Sequence, residues 1–202
     1  AFQFIQRAGR AVHEDFGLPL IVKLNEGGGS VGINNRAVKE TIKEAQKQVD
    51  EMIGTYKLPV IVERFIDGPE ITVVVLDDGA KRHVAMGQKV FRKKPDGKHF
   101  FTSLESYDDA RAYTYTPVEE ALQHKIRKLA IRAFHGLHHK DYAKLDVRVE
   151  DSTNTPYFTD SNPNTALGPD AGLPLTEVLA LHGVSFTEML ASLLAKYARQ
   201  LV

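Results

Sequence analysis

The run YAKLDVRV at 142–149 alternates apolar and polar residues over its whole length. Side chains on a strand point to opposite faces in turn, so Ala143, Leu145, Val147 and Val149 lie on one side and Lys144, Asp146 and Arg148 on the other. A chain carrying this segment needs a sheet with a core on one face, and a slip of one residue would bury three charges. The next apolar stretch, PYFTDSN at 156–162, follows the turn-rich EDSTNT, which predicts an antiparallel hairpin. By the same alternation Phe158, Asp160 and Asn162 share a face of the second strand. With the polar faces in register, Asp146, Asp160 and Asn162 form a cluster of hard oxygen donors with Lys144 and Arg148 beside it. Such oxygens suit magnesium, which takes one or two carboxylates together with substrate phosphates. A solvated charged face is the reading that the hairpin alone leaves open.

Strand and helix signals alternate along the rest of the chain, and no repeat or low-complexity tract interrupts them. A short amphipathic helix opens the chain in AFQFIQRAGRAV, which has no initiator methionine and so reads as a piece of something longer. PLIVKL at 19–24 reads as a strand, followed by a helix on which Val38, Ile42, Ala45, Val49 and Met52 share a face. VIVERFI (60–66) and EITVVVL (70–76) flank Asp67, Gly68 and Pro69, which suggests two antiparallel strands around a turn. After the DDG turn at 77–79 comes a strand near HVAMGQKVF, then a stretch from His99 to Thr116 without clear period, read as a long loop. Thr116, Pro117 and Glu119 form a capping box ahead of a helix striped by Val118, Leu122, Ile126, Leu129 and Ala133. A last helix begins at Ser185 with Glu188 as its box partner. The pattern predicts an α+β chain of two lobes, 1–75 and 76–202.

Between the first strand and its helix stands KLNEGGGSVGI, residues 23–33. Consecutive glycines sacrifice packing and backbone entropy, so the bare backbone is either a flexible turn or an anion cradle whose amides approach phosphate oxygens, with Lys23 as a point charge. It is not the Walker pattern, since its lysine precedes the glycines. Any anion must be held locally, because 26 basic residues balance 26 acidic ones, which favours neither nucleic acid nor an anionic membrane as partner. The absence of cysteine excludes disulfides, thiolate zinc sites and cysteine nucleophiles, and fits a reducing compartment. No apolar run is long enough to span a bilayer, so the expected location is the cytoplasm. His135, His138 and His139 cluster in FHGLHHKDY, which reads as a polar helix end in preference to a metal site.

In this order, KLNEGGGSVGI, VERFIDGPEITVVVL and LDVRVEDSTNTPYFTDSNPN together resemble the ATP-grasp superfamily, and within it the D-alanine–D-alanine ligases. The resemblance covers essentially the whole chain but only the two ATP-grasp lobes, and that family's amino-terminal domain has no counterpart here. It implies an α+β ATP-grasp fold with ATP bound between the lobes. It also implies an ATP-dependent carboxylate–amine ligase that works through an acyl phosphate. Carried over by residue, Lys23, Gly28, Gly29 and Ser30 hold ATP phosphates; Glu63, Arg64, Phe65 and Ile66 line the adenine; and Glu70 binds the ribose hydroxyls. Arg111 takes the place of a phosphate-binding lysine. Asp146, Asp160 and Asn162 hold magnesium, with manganese as the substitute ion, and Lys144 and Arg148 hold the oxyanion.

The chain departs from the family pattern at three places. Asp160 replaces a glutamate, Lys144 replaces an arginine and so loses the bidentate fork, and PNTALGPDAGLP replaces the turn and serine that fix the acceptor carboxylate. The implied partners are small-molecule carboxylate and amine substrates, the further domain of the same protein, and a second copy in a homodimer. A catalytically impaired ATP-binding domain and a non-nucleotide α+β interaction domain are the rival readings.

Overall fold

The structure, a computed structural model, describes residues 2–92, 101–104, 112–163, 165–170 and 172–199. It divides into two compact units, one of residues 1–66 and 93–112 and the other of residues 67–92 and 113–202.

The first unit is a four-stranded sheet with a helix on one face. Its strands are β1 (Phe2–Ile5), β2 (Leu20–Leu24), β3 (Val38–Lys39) and β4 (Val60–Arg64), in the order β1-β4-β2-β3 and antiparallel throughout. Helix α1 (Ile42–Tyr56) starts at a Thr41–Glu44 capping box and lays Ala45, Val49 and Met52 on Leu20, Val22, Val60, Val62 and Ile5. The opening segment is therefore a strand and not the expected helix. Gln3 is buried beside Ile5, with Nε2 donating to Ala11 O and Oε1 accepting from His13 N, and a satisfied buried glutamine disguises the period of two.

The second unit is a five-stranded antiparallel sheet in the order β7-β6-β5-β8-β9, built from β5 (Glu70–Asp77), β6 (Arg82–Phe91), β7 (Tyr113–Thr116), β8 (Tyr142–Glu150) and β9 (Thr155–Asn162). Helix α2 (Glu120–Gly136) covers one face, packing Leu122, Ile126, Ala130 and Phe134 on Ile71, Val73, Leu145 and Val147. Helices α3 (Pro174–Leu181) and α4 (Phe186–Ala198) cover part of the other face, around Val74, Leu76 and Ala85. Among the described residues no single helix is long and apolar enough to cross a membrane.

The predicted hairpin of 60–66 with 70–76 does not form. β4 pairs with β1 and β2, whereas β5 pairs with β6 and β8, so the passage between units falls at Ile66/Asp67 and not near 76. The cause lies in the Asp67–Gly68–Pro69 segment, which docks on the end of β8 instead of turning. Val149 N donates to Pro69 O at 3.0 Å and Asp151 N to Asp67 O at 3.1 Å. Gly68 sits at φ 142°, where a Cβ would stand 1.9 Å from the Val149 carbonyl oxygen, so no other residue fits. The stretch read as a loop ends in strand β7, paired to β6. Because Thr116 belongs to that strand, Glu119 caps α2 instead, its two carboxylate oxygens accepting from Ala121 N and Leu122 N.

Candidate active site

In the first unit, Val22 and Val60 point into the core under α1, so Lys23 and Glu63 alternate onto the other face. Register sets Ile21 opposite Glu63 and Lys23 opposite Ile61, which makes Lys23 and Glu63 diagonal neighbours, and Lys23 Nζ lies 2.5 Å from Glu63 Oε2. The glycine loop leaves β2 directly. Gly29 and Ser30 are both left-handed (φ 59° each), and Val31 N and Ile33 N donate back to Gly28 O and Ser30 O. Two successive left-handed residues turn the chain sharply, and among the described residues the Gly28, Gly29 and Ser30 amides donate to no protein acceptor. A turn of this kind can present its amides to an anion.

Arg64 alternates back to the α1 side and lies near Gly17, away from Lys23 and Glu63. Phe65 is buried on Phe101, with ring centroids 5.8 Å apart, and its amide donates to Pro19 O. Ile66 is also buried. Arg111 lies outside the described residues, so its role as a phosphate ligand is an expectation from sequence alone.

In the second unit, register brings the charged face of the sheet together. Asp146 stands opposite Asp160 and Lys144 opposite Asn162, while on the other side of β8 Glu70 pairs with Arg148 and Thr72 with Asp146. A bulge between Asp146 and Val147 makes this arrangement possible. It inserts Thr159, so that Phe158 turns inward opposite Val147 while Asp160 stays with Asp146. The strict alternation predicted Phe158 and Asp160 on one face, and the bulge overturns that expectation.

The ammonium of Lys144 is seated on Asp146 Oδ2, while Asp146 Oδ1 is buried without a hydrogen-bond partner among the described residues. An unpartnered buried carboxylate oxygen is costly, and a bound cation would satisfy it. Asn162 Nδ2 donates to Asp160 Oδ2 at 2.9 Å, which leaves the amide oxygen of Asn162 as a further donor to metal. No three His, Cys, Asp or Glu side chains converge among the described residues, so the set is two carboxylates and an amide. Those hard oxygens fit magnesium. Of the clustered histidines, His139 meets Ser161 Oγ through Nε2 at 2.7 Å, and burial lowers the pKa of its ring.

Beside this cluster lies a network that sequence reasoning did not find. Glu70 accepts from Lys89 Nζ (2.7 Å) on Oε1 and from Arg148 Nη1 (3.2 Å) on Oε2, and all three side chains are less than one-tenth exposed. Arg148 Nη2 also donates to Gly68 O at 2.9 Å. Desolvation lowers the Arg148 pKa against the pull of Glu70. Desolvation also acts to lower that of Lys89, but Glu70, Asp146 and the neighbouring tyrosines outweigh it and raise the value, so the ammonium stays charged. Tyr115 shares a hydrogen bond with Thr72 at 3.0 Å, and its burial pushes the phenol pKa up. A signal for Lys89 was present in GQKVF, a lysine in phase with Ala85 and Gly87 on the small-residue side of a strand.

The sequence matches the family model described as "D-ala D-ala ligase C-terminus" over residues 3–195. It is 25% identical over 185 residues to a D-alanine–D-alanine ligase of Janthinobacterium sp., a match covering 92% of this chain and 55% of that protein. It is 29% identical over 184 residues to a D-alanine–D-alanine ligase of Clostridium perfringens, covering 91% and 56%. The chain thus spans about half the length of the curated relatives it matches. Among solved structures, that of D-alanine–D-alanine ligase from Bacillus anthracis complexed with ATP superposes with a TM-score of 0.71 at 18% identity, covering 98% of this chain and 60% of the other. At that identity the likeness is one of fold, and the fold is the α+β arrangement of the ATP-grasp ligases. The profile match, which runs over nearly the whole sequence, carries the assignment further than fold: the chain belongs to the D-ala D-ala ligase C-terminus family.

Proposed function

We propose that this chain is the ATP-binding and catalytic portion of an ATP-dependent carboxylate–amine ligase that acts through an acyl phosphate. The observation that carries the reading is Asp146, a buried carboxylate with one unpartnered oxygen, standing opposite Asp160 with Asn162 and Lys144 beside it. Lys23 and the amides of Gly28, Gly29 and Ser30 bind nucleotide phosphates, and Glu63 with the backbone of Arg64, Phe65 and Ile66 lines the base. Arg111 adds a phosphate contact by family resemblance. Glu70 accepts hydrogen bonds from the ribose hydroxyls, and Asp146, Asp160 and Asn162 hold magnesium. Bound there, the ion would neutralise charge on the transferring phosphoryl group.

In the reaction a carboxylate oxygen of the first substrate attacks the γ-phosphorus of ATP, giving acyl phosphate and ADP. The amine of the second substrate then attacks the acyl carbon, phosphate leaves, and the amine nitrogen releases a proton. Lys144 holds the oxyanion that develops on the acyl oxygen. Arg148, expected to share that role, stands four residues further along β8 with its guanidinium on Glu70 and the Gly68 carbonyl, and acts on the ribose acceptor instead. As a lysine, Lys144 supplies charge without the paired donors of a guanidinium, so it positions that oxygen less strictly. A further domain of the same protein, beyond the half of the relatives' length matched here, completes the first substrate's site. The cytoplasm, where ATP is made and used, is the location this reading takes.

A second reading, an ATP-binding domain with impaired catalysis, is favoured by the Lys144 ammonium resting on Asp146 and by the shorter Asp160 side chain. Hydroxylamine trapping separates the two. Incubated with ATP, magnesium and a panel of amino acids, the ligase forms ADP and an amino-acyl hydroxamate only when a carboxylate is present. Nucleotide binding without hydroxamate or ADP from any acid supports the impaired domain and overturns the ligase reading.

A further inference from the structure

The buried cation Lys89 has no part in the chemistry above, and its place in the sheet gives it one. It lies on β6 in phase with Gly87 and Ala85, on the face of β5 that carries Glu70 and Thr72. Burying an ammonium is expensive, and an apolar chain of the same length would fill the space more cheaply. Arg148 already meets the Glu70 carboxylate, so Lys89 is the second cation on it. What Lys89 adds is a second anchor on the other oxygen. With Oε1 held at 2.7 Å by Lys89 and Oε2 at 3.2 Å by Arg148, the carboxylate cannot rotate about its terminal bond, and its remaining lone pairs keep one direction. The Lys89 ammonium is fixed in turn over the Tyr113 ring, 4.8 Å from its centroid.

We propose that Lys89 is a positioning residue for nucleotide recognition, setting the plane of the Glu70 carboxylate so that it accepts from the ribose hydroxyls. The inference rests on the reading of Glu70 as the ribose acceptor. Its test compares binding of ATP and of 2′,3′-dideoxy-ATP by titration with magnesium, in the wild type and in Lys89→Met, Lys89→Arg and Lys89→Gln, with folding of each checked by circular dichroism. The wild type should prefer ATP by about tenfold, the worth of one charge-assisted hydrogen bond. Lys89→Met should lose that preference while binding the dideoxy nucleotide as the wild type does, and Lys89→Arg should restore most of it. Lys89→Gln, whose side chain is one atom too short to reach Glu70 Oε1, gives the same reading if the methionine variant does not fold.

A folded Lys89→Met or Lys89→Gln that keeps the full preference, or that weakens both nucleotides equally, overturns the positioning role and leaves the ribose reading of Glu70 intact. A wild type that binds both nucleotides alike, or neither, refutes the ribose reading and the inference together.

Discussion

Lys23 and Glu63 form a half-buried ion pair on the face of the first sheet opposite α1, and the pair sits directly before the glycine loop. A lysine held by one carboxylate at a strand end is oriented before any anion arrives, which limits the entropy lost on binding. Lys23→Met should therefore weaken binding of a nonhydrolysable ATP analogue by about 1.5–3 kcal/mol, roughly ten- to a hundredfold, as measured by calorimetry. An unchanged affinity would remove Lys23 from the phosphate site. At this scale the sequence was informative wherever a residue type needs a specific geometry. Asp146, Asp160 and Asn162 could be picked out because alternation and turn signals fix which side chains share a face. Lys89 is easily passed over, because its phase with Ala85 and Gly87 is a faint signal and a lone lysine in a strand otherwise looks like surface. Phe158 was misplaced for a related reason: a bulge adds one residue to a strand without any composition that announces it.

The elements were legible where their periods were undisturbed. α1, α2, α4 and the β8–β9 hairpin follow from apolar spacing and turn signals, and the Ser185–Glu188 box is formed as expected. The opening strand and β7 were not, the first because its buried face includes Gln3 and the second because YTYT reads as well as loop. α3 went unnoticed because it is only eight residues long and has no side-chain cap. Helix α4 is tied to the start of β8 by Asp141, which accepts from Lys196 Nζ (2.9 Å) and Tyr197 OH (2.7 Å). Desolvation would raise the Asp141 pKa, but Tyr197 and Lys196 outweigh it and hold the carboxyl below its ordinary value. A depressed folded pKa stabilises the fold above the unfolded value, about 3.9, and that contribution is lost as pH falls through the folded value. Asp141→Asn should lower Tm slightly at pH 7. The difference from the wild type should shrink as the pH is taken below about 4. A difference that persists at low pH would mean that Asp141 acts through packing and not through charge.

At the scale of the whole molecule, two sheets with separate cores carry the candidate residues: Lys23 and the glycine loop in the first unit, and an acid cluster with a buried ion network in the second. The division could be foreseen from alternating strand and helix signals, but its position could not. The DGP segment carries every mark of a turn, and only its docking on β8 shows that it passes the chain from one sheet to the next. If the β8–β9 hairpin holds the magnesium through which ATP binds, nucleotide affinity depends on both. Isothermal titration of the chain with a nonhydrolysable ATP analogue, with and without magnesium, beside an Asp146→Ala/Asn162→Ala double variant, tests it most directly. Magnesium-dependent binding that the double variant loses while remaining folded is the expected result. Binding retained in full by that variant, or no heat from the folded wild type in either condition, would contradict it.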